Sequence, residues 1–254
     1  SRVFRSPHHS LSTAALVGGG KVPSPGEISL AHHGVLFLDE FPEFRKDAME
    51  ALRQPIEDRQ VTITRAAGRV TYPADFLLVC AMNPCPCGYF GSRDEAHPCK
   101  CTQKAIAAYL EKISGPMLDR IDIQMEMPAL SFAELSEAKP GEPSSEIRAR
   151  VTAARELSIR RYREAGNADA ALYANSRLSG EALRSFCALD EGTTAVMEDV
   201  FNRLHISARA YDRILRVART LADLESVEKS GGVEDSGILG GPIEKRHLLE
   251  AVQL

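Results

Sequence analysis

Four apolar residues in a row, Val35-Leu36-Phe37-Leu38, end at two acids, Asp39 and Glu40. An unbroken apolar run of this length reads as a short strand buried in a parallel sheet. A second run, residues 74–83, closes on the amide of Asn83; a third, residues 121–127, follows Arg120 and stops at Pro128. Between these runs the spacing changes. Ala48, Leu52 and Ile56 repeat at helical intervals and predict a helix over 45–57. Residues 60–71 alternate around Ala66-Ala67-Gly68 and predict a β-hairpin. A further helix is expected over 104–113. Residues 1–33 read as loop-rich, punctuated by Gly18-Gly19-Gly20 and Pro23-Ser24-Pro25-Gly26. After a short helix near 131–137, Pro140-Gly141-Glu142-Pro143 marks a break. From there the pattern is helical: 144–165, 179–188, 193–205, 208–225 and 242–252. Residues 230–241 hold five glycines and predict a mobile loop. There is no internal repeat. The fold class is α/β in the first half and all-α in the second, with boundaries expected near 130 and 175.

Composition changes this picture little. Of 254 residues, 44% are hydrophobic and 26% charged, a globular balance. No apolar run approaches the roughly 20 residues of a membrane-spanning helix, and no signal peptide is visible at the start. The expectation is a cytoplasmic protein with no membrane partner. The net charge of −4 excludes a globally basic nucleic-acid binder but leaves room for a local basic lining.

The strand ends carry the chemistry. In open α/β sheets ligands bind at the C-terminal edge of the strands. A carboxylate there can hold Mg²⁺ on a nucleotide, and its neighbour can polarise an attacking water. Asp39 and Glu40 fit those roles, a Walker B pattern; the plain alternative is a core strand ending in two surface acids. Asn83 could orient the same water from the next strand. Arg120 could reach across a subunit boundary to a γ-phosphate.

Taken with six further segments, these residues resemble the magnesium chelatase type of AAA+ ATPase, and within it the bacterial group that includes competence-related branch-migration helicases. The segments are Phe4-Arg5-Ser6-Pro7-His8-His9, Ala15-Leu16-Val17-Gly18-Gly19-Gly20, Pro25-Gly26-Glu27-Ile28-Ser29-Leu30-Ala31-His32, Leu52-Arg53-Gln54-Pro55, Met82-Asn83-Pro84-Cys85-Pro86-Cys87-Gly88-Tyr89 and Ser207-Ala208-Arg209-Ala210. The resemblance implies a partial AAA+ core over 1–130 with a pre-sensor 1 β-hairpin and a cysteine-rich insertion at 84–102. A linker and long helical insertion over 131–175 and an α-helical lid over 176–254 would follow. It implies ATP and Mg²⁺ as cofactors, with Glu40, Asn83 and Arg120 catalytic, Asp39 on the metal and a sensor 2 role for Arg209. It also implies self-assembly into a ring, most simply a hexamer. One departure stands out. The sequence contains no Gly-x-x-x-x-Gly-Lys-Ser/Thr, since Gly18-Gly19-Gly20-Lys21-Val22 lacks both the spacing and the hydroxyl. The expectation is a C-terminal fragment whose P-loop lies upstream, inactive as an ATPase by itself.

Cys85, Cys87, Cys99 and Cys101 form two Cys-x-Cys pairs. Four thiolates at such spacing suit a tetrahedral Zn²⁺ site; reduced thiols or disulfides are the alternatives, and His97 is a spare ligand. Cys80 and Cys187 sit among apolar residues and read as buried small hydrophobes. Arg65 and Arg69 flank the hairpin turn. They are either solvated turn charges or, as the resemblance implies, pore-facing contacts to nucleic-acid phosphates. The arginines at 148, 150, 155, 160, 161 and 163 alternate with glutamates and read as a solvated helix face or as a subunit contact. His8 and His9 read as a structural hydrogen-bonding pair. Two functions remain open: a DNA motor of the branch-migration type, and a chelatase-type ATPase that remodels a protein or aids metal insertion.

Overall fold

The computed structural model describes residues 2–20, 22–65, 68–92, 97–128, 136, 140–166, 174–230 and 240–254. In chain order the strands are β1 (Phe4–Arg5), β2 (Gly18–Gly19), β3 (Ser24–Pro25), β4 (Val35–Leu38), β5 (Gln60–Arg65), β6 (Gly68–Pro73) and β7 (Leu77–Cys80). The helices are α1 (Thr13–Val17), α2 (Glu27–Leu30), α3 (Lys46–Ala51), α4 (Arg53–Asp58), α5 (Gln103–Leu110), α6 (Gly115–Leu118), α7 (Ser144–Glu164), α8 (Gly180–Phe186), α9 (Glu191–Leu204), α10 (Ala208–Ser230) and α11 (Lys245–Gln253). The chain divides into two compact units, 1–121 with 126–129 and 122–125 with 130–254.

The first unit is α/β. Its sheet has the order β1-β4-β7, and both pairings are parallel. Val35 lies opposite Phe4 on one side and Leu77 on the other, and Leu38 lies opposite Cys80. Leu36 and Leu38 are fully buried, and each such side chain contributes about 1.5–3 kcal/mol of burial. They meet Leu16, Ile28, Phe41, Leu52 and Met117 in one core. Arg5 forks onto both oxygens of Glu27 at 2.6 Å, tying β1 to α2.

The expected helix over 45–57 is interrupted between α3 and α4. Pro55 lacks the N–H that would bond the Ala51 carbonyl four residues back, yet Leu52 keeps helical dihedrals (φ −70°, ψ −25°), so the two segments remain nearly continuous. The hairpin forms with Gln60 opposite Pro73 and Arg65 opposite Gly68. Its tip, 66–67, lies outside the described residues. The strand expected over 121–127 does not form: Ile123, Met125 and Met127 are exposed, and none of the described residues supplies a neighbouring strand. Apolar alternation makes a segment fit for a sheet, but the ladder needs a partner.

The second unit is helical. The expected short helix at 131–137 and the glycine-rich loop at 230–241 fall almost wholly outside the described residues. Side chains set the helix ends: Asp190 accepts from the Thr193 N–H at 2.6 Å, Ser207 from that of Ala210 at 3.2 Å, and Glu244 forms a capping box with His247. Along α7 the charges do not all face solvent. Ala154, Leu157, Ser158 and Arg161 recur at helical spacing and are buried, so Arg161, at 1% exposure, is carried into the packed face. There it pairs with Asp223 of α10, which also accepts from Arg219 at 3.0 Å and from Asn175 at 2.9 Å. Burial works against the charge on Arg161, but the hydrogen bond and charge of Asp223 outweigh it; on Arg219 burial dominates and lowers the pKa. Among the described residues no helix is long and apolar enough to cross a membrane.

Candidate functional site

Because β4 and β7 run in parallel and in register, their chains leave the sheet at the same edge. The Ala81 N–H donates to Leu38 at 3.0 Å and the Phe41 N–H to Ala81 at 2.9 Å, so the Asp39-Glu40 turn is laced to the segment leading into Asn83. Both acids and Asn83 are exposed at this edge. Glu40 has left-handed dihedrals (φ 51°, ψ 45°), which cost a non-glycine residue about 1–3 kcal/mol. Buried Phe41 and Pro42 immediately after it hold the turn in place, and Asp39 accepts from the Glu40 N–H at 2.9 Å.

His9 joins this edge. The chain beyond β1 brings its Nδ1 to 2.9 Å from a Glu40 oxygen, with the ring edge-on to Phe44 and beside His8. The His8-His9 pair therefore includes a direct neighbour of the acid assigned to water activation, which sequence reasoning did not assign. The only signal was its position: four residues beyond the end of a strand that turns out to be parallel to β4.

Arg120 is tied down. Its Nη2 meets Glu57 at 2.7 Å, another guanidinium nitrogen donates to the Pro116 carbonyl, and Nε is buried without a partner. Ser114, six residues earlier, donates to Glu50 at 2.6 Å. Glu50 and Glu57 are two helical turns apart on α3 and α4, so one face of that pair holds the whole 114–120 segment. The Ser114 hydrogen bond, and then that of Arg53, keep the Glu50 carboxyl below the ordinary range.

Arg65 and Arg69 end up at the turn end of the hairpin on opposite faces, Arg65 opposite Gly68 and Arg69 opposite Thr64. Arg65 also overlies β2: a methyl added to Gly19 would lie 3.2 Å from its guanidinium. The hairpin is thus brought against the Gly18–Gly19 strand. Arg209 is exposed in the first turn of α10, in the helical unit.

The sulfur atoms of Cys85, Cys87, Cys99 and Cys101 all lie within 4.8 Å of one another. Cys80 and Cys187 stand apart from them; burial pushes their thiols up to about 12 and about 11, as for inert core cysteines.

Comparison with known proteins matches residues 1–135 to the family described as magnesium chelatase, subunit ChlI, and residues 141–234 to its C-terminal part. The uncharacterized protein YifB of Salmonella typhimurium is 42% identical over 252 residues, covering 99% of this chain and 45% of YifB. The competence protein ComM of Haemophilus influenzae is 44% identical over 230 residues, 90% of this chain and 42% of ComM. The chain thus spans less than half the length of these curated relatives.

Proposed function

Since the chain belongs to the magnesium chelatase, subunit ChlI, family, we propose that it is the nucleotide-sensing and lid portion of an ATP-hydrolysing AAA+ ring that moves on DNA in the cytoplasm. The observation that carries this reading is the shared edge of β4 and β7, at which the chain leads from one strand into Asp39 and Glu40 and from the other into Asn83, and where His9 touches Glu40.

The donor set fits a Mg–nucleotide. Asp39 is an exposed carboxylate at a strand end with a second acid beside it, and it would hold Mg²⁺, which neutralises charge on the transferred phosphoryl group. Glu40 orients the attacking water and takes its proton. Asn83 holds the same water from the neighbouring strand. Arg120 serves the site of an adjacent subunit in the ring, which requires its pair with Glu57 to open. Arg209 would contact the γ-phosphate from the first turn of a helix, where anions are favoured. The β- and γ-phosphates also need a P-loop, which this sequence does not contain. The chain by itself is therefore proposed to be inactive, and the full-length protein is the species to test.

DNA is the proposed substrate because Arg65 and Arg69 flank the hairpin turn, one on each face, and Arg65 overlies the Gly18–Gly19 strand. The family's description as a magnesium chelatase subunit supports a second reading, an ATPase that remodels a protein partner in metal insertion. Salt dependence separates the two. Binding to phosphates releases counterions, and removing one arginine–phosphate pair lowers the slope of log affinity against log salt by about one unit. The double variant Arg65→Ala, Arg69→Ala is expected to weaken DNA binding by the full-length ring at every sequence and to flatten that slope by about two units, with basal hydrolysis unchanged. A wild-type ring whose DNA affinity is negligible at low salt would favour the remodelling reading. An unaltered slope in the variant would assign the hairpin to subunit packing.

A further inference from the structure

Among its described residues, the insertion that follows β7 has almost no core of its own. Tyr89 and Phe90 are more than 40% exposed, and Cys85 is fully buried. Something other than apolar packing must fix it. The sulfur separations say what: Cys85–Cys87 3.4 Å, Cys85–Cys99 3.8 Å and Cys87–Cys99 3.6 Å. A disulfide would bring sulfurs to about 2.05 Å and leave them in twos. A tetrahedron with metal–sulfur arms of about 2.3 Å spaces its sulfurs about 3.8 Å apart. The three measured separations cluster near that value, and Cys101 lies within the same 4.8 Å group.

The backbone around the thiols is shaped to match. The Gly88 N–H donates to the Cys85 carbonyl at 3.0 Å, and Gly88 takes φ 84°, a left-handed turn open to glycine, so the chain folds back over the first pair. The Phe90 N–H then points at the Cys85 sulfur at 3.4 Å. An amide aimed at sulfur stabilises the thiolate, the form that binds metal.

The cluster also sits in a closed circuit. Asn83 is two residues before Cys85, and a methyl on Gly88 would lie 3.9 Å from its side chain. Cys101 is followed directly by Thr102, which caps α5 by accepting from the Ala105 N–H at 3.2 Å. The Tyr109 hydroxyl of α5 returns to lie beside the backbone of Asn83. We propose that Cys85, Cys87, Cys99 and Cys101 hold one zinc ion, and that this ion closes the circuit and so positions Asn83 beside the acids of β4. Four thiolates in tetrahedral array select zinc or iron among biological metals, and zinc brings no redox chemistry. Zinc binding is independent of the ATPase reading; the effect on Asn83 rests on it.

The test uses full-length protein purified without chelator. Elemental analysis is expected to find about one zinc per chain. Cobalt in its place should give the visible spectrum of a tetrahedral tetrathiolate. Cys99→Ser should lose that spectrum, and Cys80→Ser and Cys187→Ser should keep it. Iron in place of zinc, or no metal with four freely titrating thiols, would overturn the site. For positioning, Cys101→Ser and metal-stripped protein should lose about 10- to 100-fold in kcat for ATP, as for a displaced catalytic group. KM should stay nearly constant and the stripped protein should recover with zinc. Unchanged kcat in metal-free protein would overturn the positioning role. Absence of turnover in the untouched, zinc-loaded protein would instead count against the ATPase reading and leave the metal site standing.

Discussion

Glu40→Gln in the full-length protein is expected to keep ATP binding and to lower turnover by about 10²- to 10⁴-fold, the contribution of a positioned general base. The amide preserves size and can still hydrogen-bond, so the left-handed turn at Glu40 (φ 51°) and the core under Phe41 are undisturbed. What disappears is the ability to take a proton from water. Nucleotide affinity depends on the phosphate-binding groups and on Asp39, which the substitution leaves alone. Equilibrium binding of a fluorescent nucleotide and steady-state phosphate release measure the two quantities separately. A variant that turns over within about tenfold of the parent would remove Glu40 from the role of base.

Asp223→Ala is expected to destabilise the helical unit by about 3–5 kcal/mol, the usual cost of removing one partner from a buried ion pair. Asp223 is the carboxylate shared by Arg161 and Arg219, whose side chains are 1% and 5% exposed. Its removal leaves two guanidiniums out of water without the carboxylate they share, and Asn175 is deprived of an acceptor. Urea unfolding followed by helical circular dichroism gives the change. The triple variant Arg161→Met, Arg219→Met, Asp223→Leu should recover much of the stability, because apolar groups of similar volume replace the whole cluster. A shift of less than about 1 kcal/mol for Asp223→Ala would show that water reaches the guanidiniums.

The helices could be read from the sequence because a helix is a local object. Its period lies in neighbouring residues and its ends in caps such as Thr102 and Asp190. The strand Val35–Leu38 could be read for the same reason, but its partners could not: Phe4 and Leu77 come from about thirty and forty positions away. That distance explains both errors at the site. Residues 121–127 have strand composition and, among the described residues, no strand to join, and His9 reaches Glu40 only because β1 lies beside β4. On α7 the charges were visible but their direction was not. The sequence signal for Arg161 was its registration with Ala154, Leu157 and Ser158, which outweighs the alternation of sign. The cysteines were legible because close spacing of like ligands survives any fold of the loop between them.

The outer side of β7 bears on how the chain behaves in concentrated solution. Among the described residues β7 has a ladder partner on one side only, and Leu77 and Val79 are 59% and 38% exposed. Around it, Phe76-Leu77-Leu78-Val79-Cys80-Ala81-Met82 runs for seven residues without a charge, proline or glycine. Uncovered edges of this composition are templates for intermolecular β-pairing and, at the extreme, for amyloid-like stacking. Where no fourth strand covers that side, this tetrapeptide edge is open to pairing with a second copy of the chain, and Val79 is the position where a lysine would act as a gatekeeper without entering the buried face.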